Sequence, residues 1–546
     1  MDALELLAGS IELLEIATVG IALFFLLSGL DDLFIDLVYA VRAVYRRLVI
    51  QPRYAPLPAE LLRSMPERQL AVLVPAWDES AVIQPMLRNL LGRVEYGRYA
   101  IFVGTYPNDA ATIREVDAVC ADDPRVHRIE LPHPGPTTKA DCLNWVYRGI
   151  RAHEERTGAH YEGFVMQDCE DVLHPLCYKL IGHLIGRIDM VQLPVLSLER
   201  HWWEFTGGHY LDEFAQLHYK DLVVRETLDH SLPAAGVGCA FSRRALECVG
   251  ADQRGAIFNT SSLTEDYDLG LRLQAHGLRQ AFVKYFVEHM ELKRHPLTGV
   301  LRPRRVRELV CVREYFPGTF RTAVRQKSRW VLGISLQGWK QIGWKGSGWR
   351  RYMLWRDRKA LLTNPVNVLG YLLLPLVLGV WLASLWWPQT VRGMPLLEQP
   401  WVRSLLLLNT GLLCTRLLQR MYCVAQLYNR TQALLSVPRA IWGNFINFAA
   451  TLRAVRQFIH SLRTGQAVAW DKTAHVYPTL PLPEAVPALA APRPALALVH
   501  RRQVPHPTPG QARAQIQGPM PRNTTQTHRP PQDEHPERSL PVPGIS

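Results

Sequence analysis

Residues 164–175 read FVMQDCEDVLHP, four residues that could close a buried strand followed by Asp168, Glu170 and Asp171 within four positions. A solvated turn after a strand accounts for such a cluster without any ligand. A divalent cation would require one. On an extended strand end Asp168 and Glu170 stand at i and i+2, so both side chains share a face. Mg2+ or Mn2+ prefers one or two carboxylates beside substrate phosphates.

The upstream sequence raises the second account above chance. LAVLVPA (70–76), YAIFVGTYP (99–107), VHRIEL (126–131) and YEGFVMQ (161–167) each read as a short strand. Helix-like stretches separate them, one through Met86, Leu90 and Leu91, one around 110–120, and one through Leu143, Val146 and Ile150. Strands alternating with helices predict a mostly parallel α/β sheet with helices on both faces. Such sheets bind ligands outside the carboxyl ends of their strands. Asp168 lies at one of these ends, as do Trp77-Asp78-Glu79 and Asn108-Asp109.

The chain has 546 residues, 48% hydrophobic and 20% charged, an ordinary globular balance. Its formal charge of +13 suits an anionic partner: phospholipid, nucleic acid or a phosphorylated substrate. Nine scattered cysteines without a CxxC pair argue against a structural zinc site and against a disulfide-stapled domain.

Apolar residues concentrate in runs. Residues 14–30 are nearly long enough to span a bilayer. Asp2, Glu5, Glu12 and Glu15 flank them on one side, and Arg42, Arg46, Arg47 and Arg53 follow. The positive-inside rule then puts the N-terminus outside and the next domain in the cytoplasm. Without a basic start or a cleavage site, the segment reads as an uncleaved anchor. Residues 365–387 form a second expected span and 402–424 a third, with Arg416 and Arg420 snorkelling at its inner end. In 433–460, Arg439, Arg453 and Arg456 alternate with Trp442, Phe445 and Phe448, which predicts an interfacial helix. From about 481 the Pro-rich composition predicts a disordered tail. The expected organisation is an anchor over 1–50, a cytosolic domain over 51–345, membrane and interfacial helices over 346–480, and the tail over 481–546.

Two further constellations matter. In SSLTEDYDLGLRLQAHG (261–277) Thr264 can cap a helix, Glu265 and Asp266 favour its N-terminal end, and Gly277 can stop it. Capping explains the acids fully, yet an acid held there beside a pocket can also act as a general base. In RQKSRW (325–330), Gln326, Arg329 and Trp330 fall at i, i+3 and i+4 on one helical face. Such a face can grip a diphosphate and stack on a sugar. It equally suits a lipid interface.

Taken in order, DxE, GVGCAFSRR (236–244), TED and QxxRW before a span resemble the membrane-bound processive family-2 glycosyltransferases with a GT-A fold. The cellulose, chitin and hyaluronan synthases belong to that family. The resemblance covers roughly 70–475, and DxE departs from the commoner DxD. SGLDDLFIDL (28–37), TYPND (105–109), SVPRAIWGNFINF (436–448) and WDKTAHVYP (470–478) look like the NfrB type of inner-membrane glycosyltransferase. That type carries a cyclic-di-GMP-binding domain after WDKT, where this sequence turns Pro-rich. Control by cyclic-di-GMP is accordingly expected only through a partner.

The resemblance implies roles. Ala76, Asp78, Glu79 and Asp109 would line the uridine site, with Lys139 near the nucleotide. Asp168 and Glu170 would hold Mg2+ or Mn2+ and, through it, the diphosphate, with Asp171 in support. Asp266 would be the base and Glu265 its neighbour, while Gln326, Arg329 and Trp330 would hold diphosphate and acceptor. Trp470, Lys472 and Thr473 would gate the nucleotide, or else form an ordinary turn. The implied reaction is inverting transfer from a UDP-sugar, expected to be a UDP-N-acetylhexosamine, to a growing surface polysaccharide at the bacterial inner membrane. Its partners would be a glycan or lipid-linked acceptor, membrane lipid, an export partner and a second copy of the chain, with no nucleic acid. One alternative is single transfer to a polyprenyl phosphate; another is a non-catalytic envelope or phage-adsorption role.

Overall fold

The computed structural model describes residues 3–252, 256–294, 300–388, 391, 393–466 and 475–478. The expected gating residues Trp470, Lys472 and Thr473 and the tail from 481 lie outside these. The chain enters through a long helix, α1 (Ala3–Tyr45), and a short one, α2 (Ala59–Ser64). Strand and helix then alternate: β1 (Leu70–Pro75), α3 (Ile83–Arg93), β2 (Tyr99–Thr105), α4 (Ala110–Asp122), β3 (Val126–Glu130), α5 (Lys139–Thr157) and β4 (Gly163–Met166). The residues of β1, β2 and β4 are almost wholly buried, which is why they read as continuous apolar runs.

After β4 the chain makes β5 (Val172–Leu173), α6 (Cys177–Leu184), β6 (Met190–Gln192), β7 (Val195–Ser197), α7 (Phe205–Gln216) and α8 (Leu222–Asp229). Then follow β8 (Cys239–Ser242), α9 (Arg243–Asp252), α10 (Glu265–Ala275), β9 (Gln280–Phe282), β10 (Phe286–Arg294), β11 (Leu301–Leu309) and β12 (Val312–Glu314). The last helices are α11 (Phe320–Trp330), α12 (Gly338–Gln341), α13 (Gly348–Arg358), α14 (Ala360–Trp386), α15 (Pro400–Leu427) and α16 (Arg430–Thr464).

The main sheet has the order β3-β2-β1-β4-β8-β6-β9. All its neighbours are parallel except β8, which runs antiparallel to β4 and β6. That one reversal sets the site. Met166, the last residue of β4, pairs with Cys239, the first of β8, so the loop entering β8 lies beside Asp168. A small sheet, β5-β12-β7, brings the end of β12 to the same region. Strands β10 and β11 pair as a separate hairpin.

Two helices among the described residues are long and apolar enough to cross a membrane: residues 5–50 and 360–386. The third expected span, 402–424, is a helix of sufficient length, α15, but does not join them because Arg403, Arg416 and Arg420 interrupt its apolar run. Close backbone contacts hold these helices together. A Cβ at Gly29 would stand 2.9 Å from Leu412 Cδ1, and one at Gly370 would stand 3.0 Å from Phe25. The acids of SGLDDLFIDL have structural partners: Asp31 and Asp32 face Arg356 and Lys359, and Asp36 pairs with Lys220. The expected interfacial helix is α16, continuous over 35 residues. All nine cysteines are free thiols.

Candidate functional site

The first wall of the site is the turn leaving β1. Asp78 adopts a left-handed backbone with φ of 55°, a conformation that costs a non-glycine residue energy and persists only when its surroundings impose it. Asp109 imposes it. This residue caps α4, and its carboxylate accepts from Asp78 N at 2.6 Å and Thr112 N at 3.2 Å. Glu79 N donates to Thr112 Oγ1 at 2.9 Å, completing the strap. Ala76, just before it, is buried.

Across the strand ends, Lys139 opens α5 behind the Thr138 cap and meets Asp168 Oδ1 at 2.6 Å. The two acids of the TED turn approach from the other side. Gly236, with φ of +78°, lies between them and Lys139: a Cβ there would stand 2.6 Å from Asp266 Oδ2 and 3.4 Å from Lys139 Nζ. Buried Gln192 holds this glycine loop, accepting from Ala235 N at 2.9 Å and donating to Val237 O at 3.0 Å. Lys139, Asp168, Glu265, Asp266 and Gly236 thus form one constellation at the carboxyl end of the sheet.

Its electrostatics follow from burial and proximity. Burial opposes a charged Lys139, but Asp168, Glu265 and Asp266 overcome it and hold the ammonium protonated. Burial and then the neighbouring Asp266 push Glu265 up to about 8, against the pull of Lys139. Burial also raises Asp266, opposed by Lys139 and by the Tyr267 N–H that donates to it at 2.7 Å. Burial thus raises both acids, and of the two only Asp266 is partly open. Asp268, the third acid of that turn, is paired with Arg272 at 2.8 Å.

Two details of the sequence reading need correction. The chain turns at Cys169–Glu170 and is not extended, so Asp168 and Glu170 do not share a strand face. Asp171 ties that turn together, accepting from Asp168 N at 2.9 Å. Thr264 stands at the N-cap of α10, but its hydroxyl makes no capping bond. Gly277, with φ of +66°, follows α10 closely, as its position in the sequence implies.

Two residues of the acidic wall were given no role from sequence. His475 Nδ1 stands 3.0 Å from Glu79 Oε1 and 3.2 Å from Glu170 Oε2. Although burial opposes it, Glu170 and Glu79 push this imidazole up to about 9. Glu314, at the end of β12, has its carboxyl raised by burial and by Glu170 and Asp168. An acid closing the apolar run LVCVRE was the available signal, the same one that marks Asp168.

Burial pushes Glu170 up to about 7, His475 pulls against it, and Asp168 and Glu79 add to the rise. Among the described residues no group of three or more His, Cys, Asp or Glu side chains is arranged as a metal cage. The residues nonetheless fit Mg2+ or Mn2+ bound jointly with a diphosphate, which needs only one or two protein carboxylates. Asp171 Oδ1 is buried without a hydrogen-bond partner, while Glu170 Oε2 faces His475 Nδ1 at 3.2 Å.

The QxxRW helix closes the site towards the apolar helices. Trp330 meets Tyr210 and Phe214 of α7, each with ring centroids 6.0 Å away, and Phe316 at 6.4 Å. Tyr210 and Phe316 stack at 4.9 Å. Gln326 Oε1 is buried without a hydrogen-bond partner. Beyond Trp330 a π-helical segment (Val331–Gln337) packs on the TED turn. A Cβ at Gly333 would lie 2.5 Å from Thr264 Oγ1, and Leu263 N donates to Gln337 Oε1 at 3.0 Å. The segment that follows QxxRW thus packs directly on the TED turn.

Residues 163–388 match the family model described as glycosyl transferase family group 2. Over 468 residues, 86% of this chain, the sequence is 43% identical to bacteriophage adsorption protein B of Escherichia coli K12. The same identity is found with bacteriophage N4 adsorption protein B of Escherichia coli O157:H7. The chain spans 63% of the length of these relatives. Among solved structures, a mannosyltransferase from Pyrobaculum calidifontis in complex with GDP-Man and Mn2+ is 15% identical with a TM-score of 0.46, covering 80% of this chain and 99% of its own. The chain is thus similar over most of its length to phage adsorption protein B, and its residues 163–388 match a family-2 glycosyltransferase model.

Proposed function

We propose that the chain is a membrane-embedded glycosyltransferase that adds a sugar from a UDP-sugar to a growing surface polysaccharide, with inversion at the anomeric carbon. The observation that carries this reading is the constellation of Lys139, Asp168, Glu265 and Asp266 around Gly236. The helix bearing Trp330 continues onto the same TED turn. An N-acetylhexosamine donor, the bacterial inner membrane and a cytoplasmic active site come from the family resemblance and the charge pattern.

Ala76, Asp78, Glu79 and Asp109 line the uridine side. Lys139 meets the diphosphate, and Gln326, Arg329 and Trp330 hold the diphosphate and the acceptor sugar. Asp168 and Glu170 would hold Mg2+ or Mn2+, which when bound neutralises charge on the departing diphosphate. Asp266 accepts the proton of the acceptor hydroxyl as that oxygen attacks the anomeric carbon opposite the nucleotide. Glu265 keeps its own proton near neutrality, so the pair need not carry two adjacent negative charges. A single displacement converts an α-linked donor into a β-linked product without a covalent enzyme intermediate.

A cavity of about 510 Å3 beside α11 favours a second reading. Phe320, Arg321, Val324, Arg325 and Arg453 line it, a set suited to a lipid phosphate. Single transfer to a polyprenyl phosphate would use it. The test is UDP release and product size from the full chain in nanodiscs, with a panel of UDP-sugars and Mn2+. Polymer supports the first reading and a one-sugar lipid the second. No UDP release with any donor would leave a non-catalytic envelope role. Asp266→Asn is expected to abolish transfer while donor binding persists; near-normal turnover would remove Asp266 from the mechanism.

A further inference from the structure

We infer that Lys327 is a positioning residue: its buried contacts with α7 and α16 set the rotation of α11 and so aim Gln326, Arg329 and Trp330 at the acceptor. This rests on the proposed role of those three residues. Lys327 stands between Gln326 and Ser328 in sequence, yet it is only 5% exposed. Its ammonium meets His209 Nε2 at 2.9 Å, Asn447 Oδ1 at 2.8 Å and the carboxylate of Glu213. The ammonium, with three hydrogens to place, is thus enclosed by three polar partners from two other helices.

The geometry of α7 makes the inference specific. In FTGGHYLDEFAQ, His209 and Glu213 are four residues apart and form one row, while Tyr210 and Phe214 form the row beside it. The first row grips Lys327 and the second receives Trp330, three positions further along α11. Contacts at two points almost one turn apart fix both the rotation and the axial position of α11. The joint reaches the long helices as well. Asn447 of α16 donates to Glu213 Oε1 at 3.0 Å, and Asn364 of α14 donates to Thr451 Oγ1 at 2.9 Å. Burial brings His209 down to about 4, and the same Nε2 stands 3.1 Å from Glu213 Oε1, so the imidazole belongs to the same polar joint. Lys327 touches no proposed substrate position; its effect passes through the helix.

The test compares Lys327→Met, Glu213→Gln and the double variant with the native chain in nanodiscs. Each single variant should lower kcat/KM for the acceptor on the order of 10²-fold, the scale of a 1 Å misplacement. UDP-sugar affinity by calorimetry should stay within about twofold, because the donor side lies on the main sheet. The double variant removes both charges, so it should recover thermal stability but not acceptor KM. Hydrogen exchange over residues 320–330 should rise in the singles while β1–β4 stay protected. If the native chain transfers no sugar, the proposed function fails and the exchange result alone still judges the joint. Unchanged exchange over 320–330, or donor and acceptor parameters falling together, would overturn the inference.

Discussion

Replacing Gly236 by alanine tests the centre of the site with one methyl group. The left-handed backbone there costs a residue with a Cβ roughly 1–2 kcal/mol. The methyl would also stand 2.6 Å from Asp266 Oδ2, which must retreat by about 0.8 Å to reach an ordinary 3.4 Å contact. A displacement of that size in a reacting group corresponds to a rate loss on the order of 10²-fold. Gly277→Ala supplies the control. Its φ is +66°, but nothing lies within 4 Å of the new Cβ, so it incurs the backbone strain without the collision. The two variants should therefore lose similar thermal stability, while only Gly236→Ala loses transfer, measured as UDP release at saturating donor. Equal activity in both would mean that the carboxylate beside Gly236 is not the one that does the chemistry.

Three further outcomes are expected. Chelation of divalent cations with EDTA should abolish transfer and Mn2+ should restore it; full activity in chelator would contradict the assignment of Asp168 and Glu170. Burial holds the folded-state pKa of His218 at about 3, against 6.5 for the free side chain. Below about pH 6.5 the unfolded chain binds a proton that the fold refuses, so stability should fall as pH drops towards 3, by up to about 5 kcal/mol at ~1.4 kcal/mol per pH unit. His218→Phe, packed between Phe214 and Phe282, should flatten the melting temperature across that window. Arg439 and Asp212 form a buried pair at 2.8 Å, so Arg439→Met should lower stability by about 3–5 kcal/mol, read as a drop in melting temperature. A shift no larger than that of a surface control would show that Asp212 finds another partner.

The sheet was legible because β1, β2 and β4 are local apolar runs, and these and β3 each end within two residues of their expected boundaries. The acids at their ends, Lys139 at a helix start and the TED and QxxRW segments were visible for the same reason: each is a short signal tied to a local element. Glu314 escaped because its place depends on β12 pairing with β5 and β7, strands far from it in the chain. His475 escaped because it reaches Glu79 across 396 positions. The Lys327 joint was hidden in plain helical sequence, where His209 and Glu213 look like any polar face. The turn at Cys169–Glu170 replaced the expected extended end, since β4 stops at Met166 and Asp171 reels in the backbone of Asp168.

The contact between Gly333 and Thr264 limits how this protein could change its substrate. No side chain fits at 333 unless the TED turn backs away, so the gap between the proposed base and the tryptophan platform behaves like a gauge block. A lineage adapting to a bulkier acceptor would have little freedom to widen that gap. Its room for variation lies at the opposite rim, where the Asp78 side chain is exposed and the donor rather than the acceptor is proposed to rest. Donor preference should therefore drift more readily than acceptor geometry.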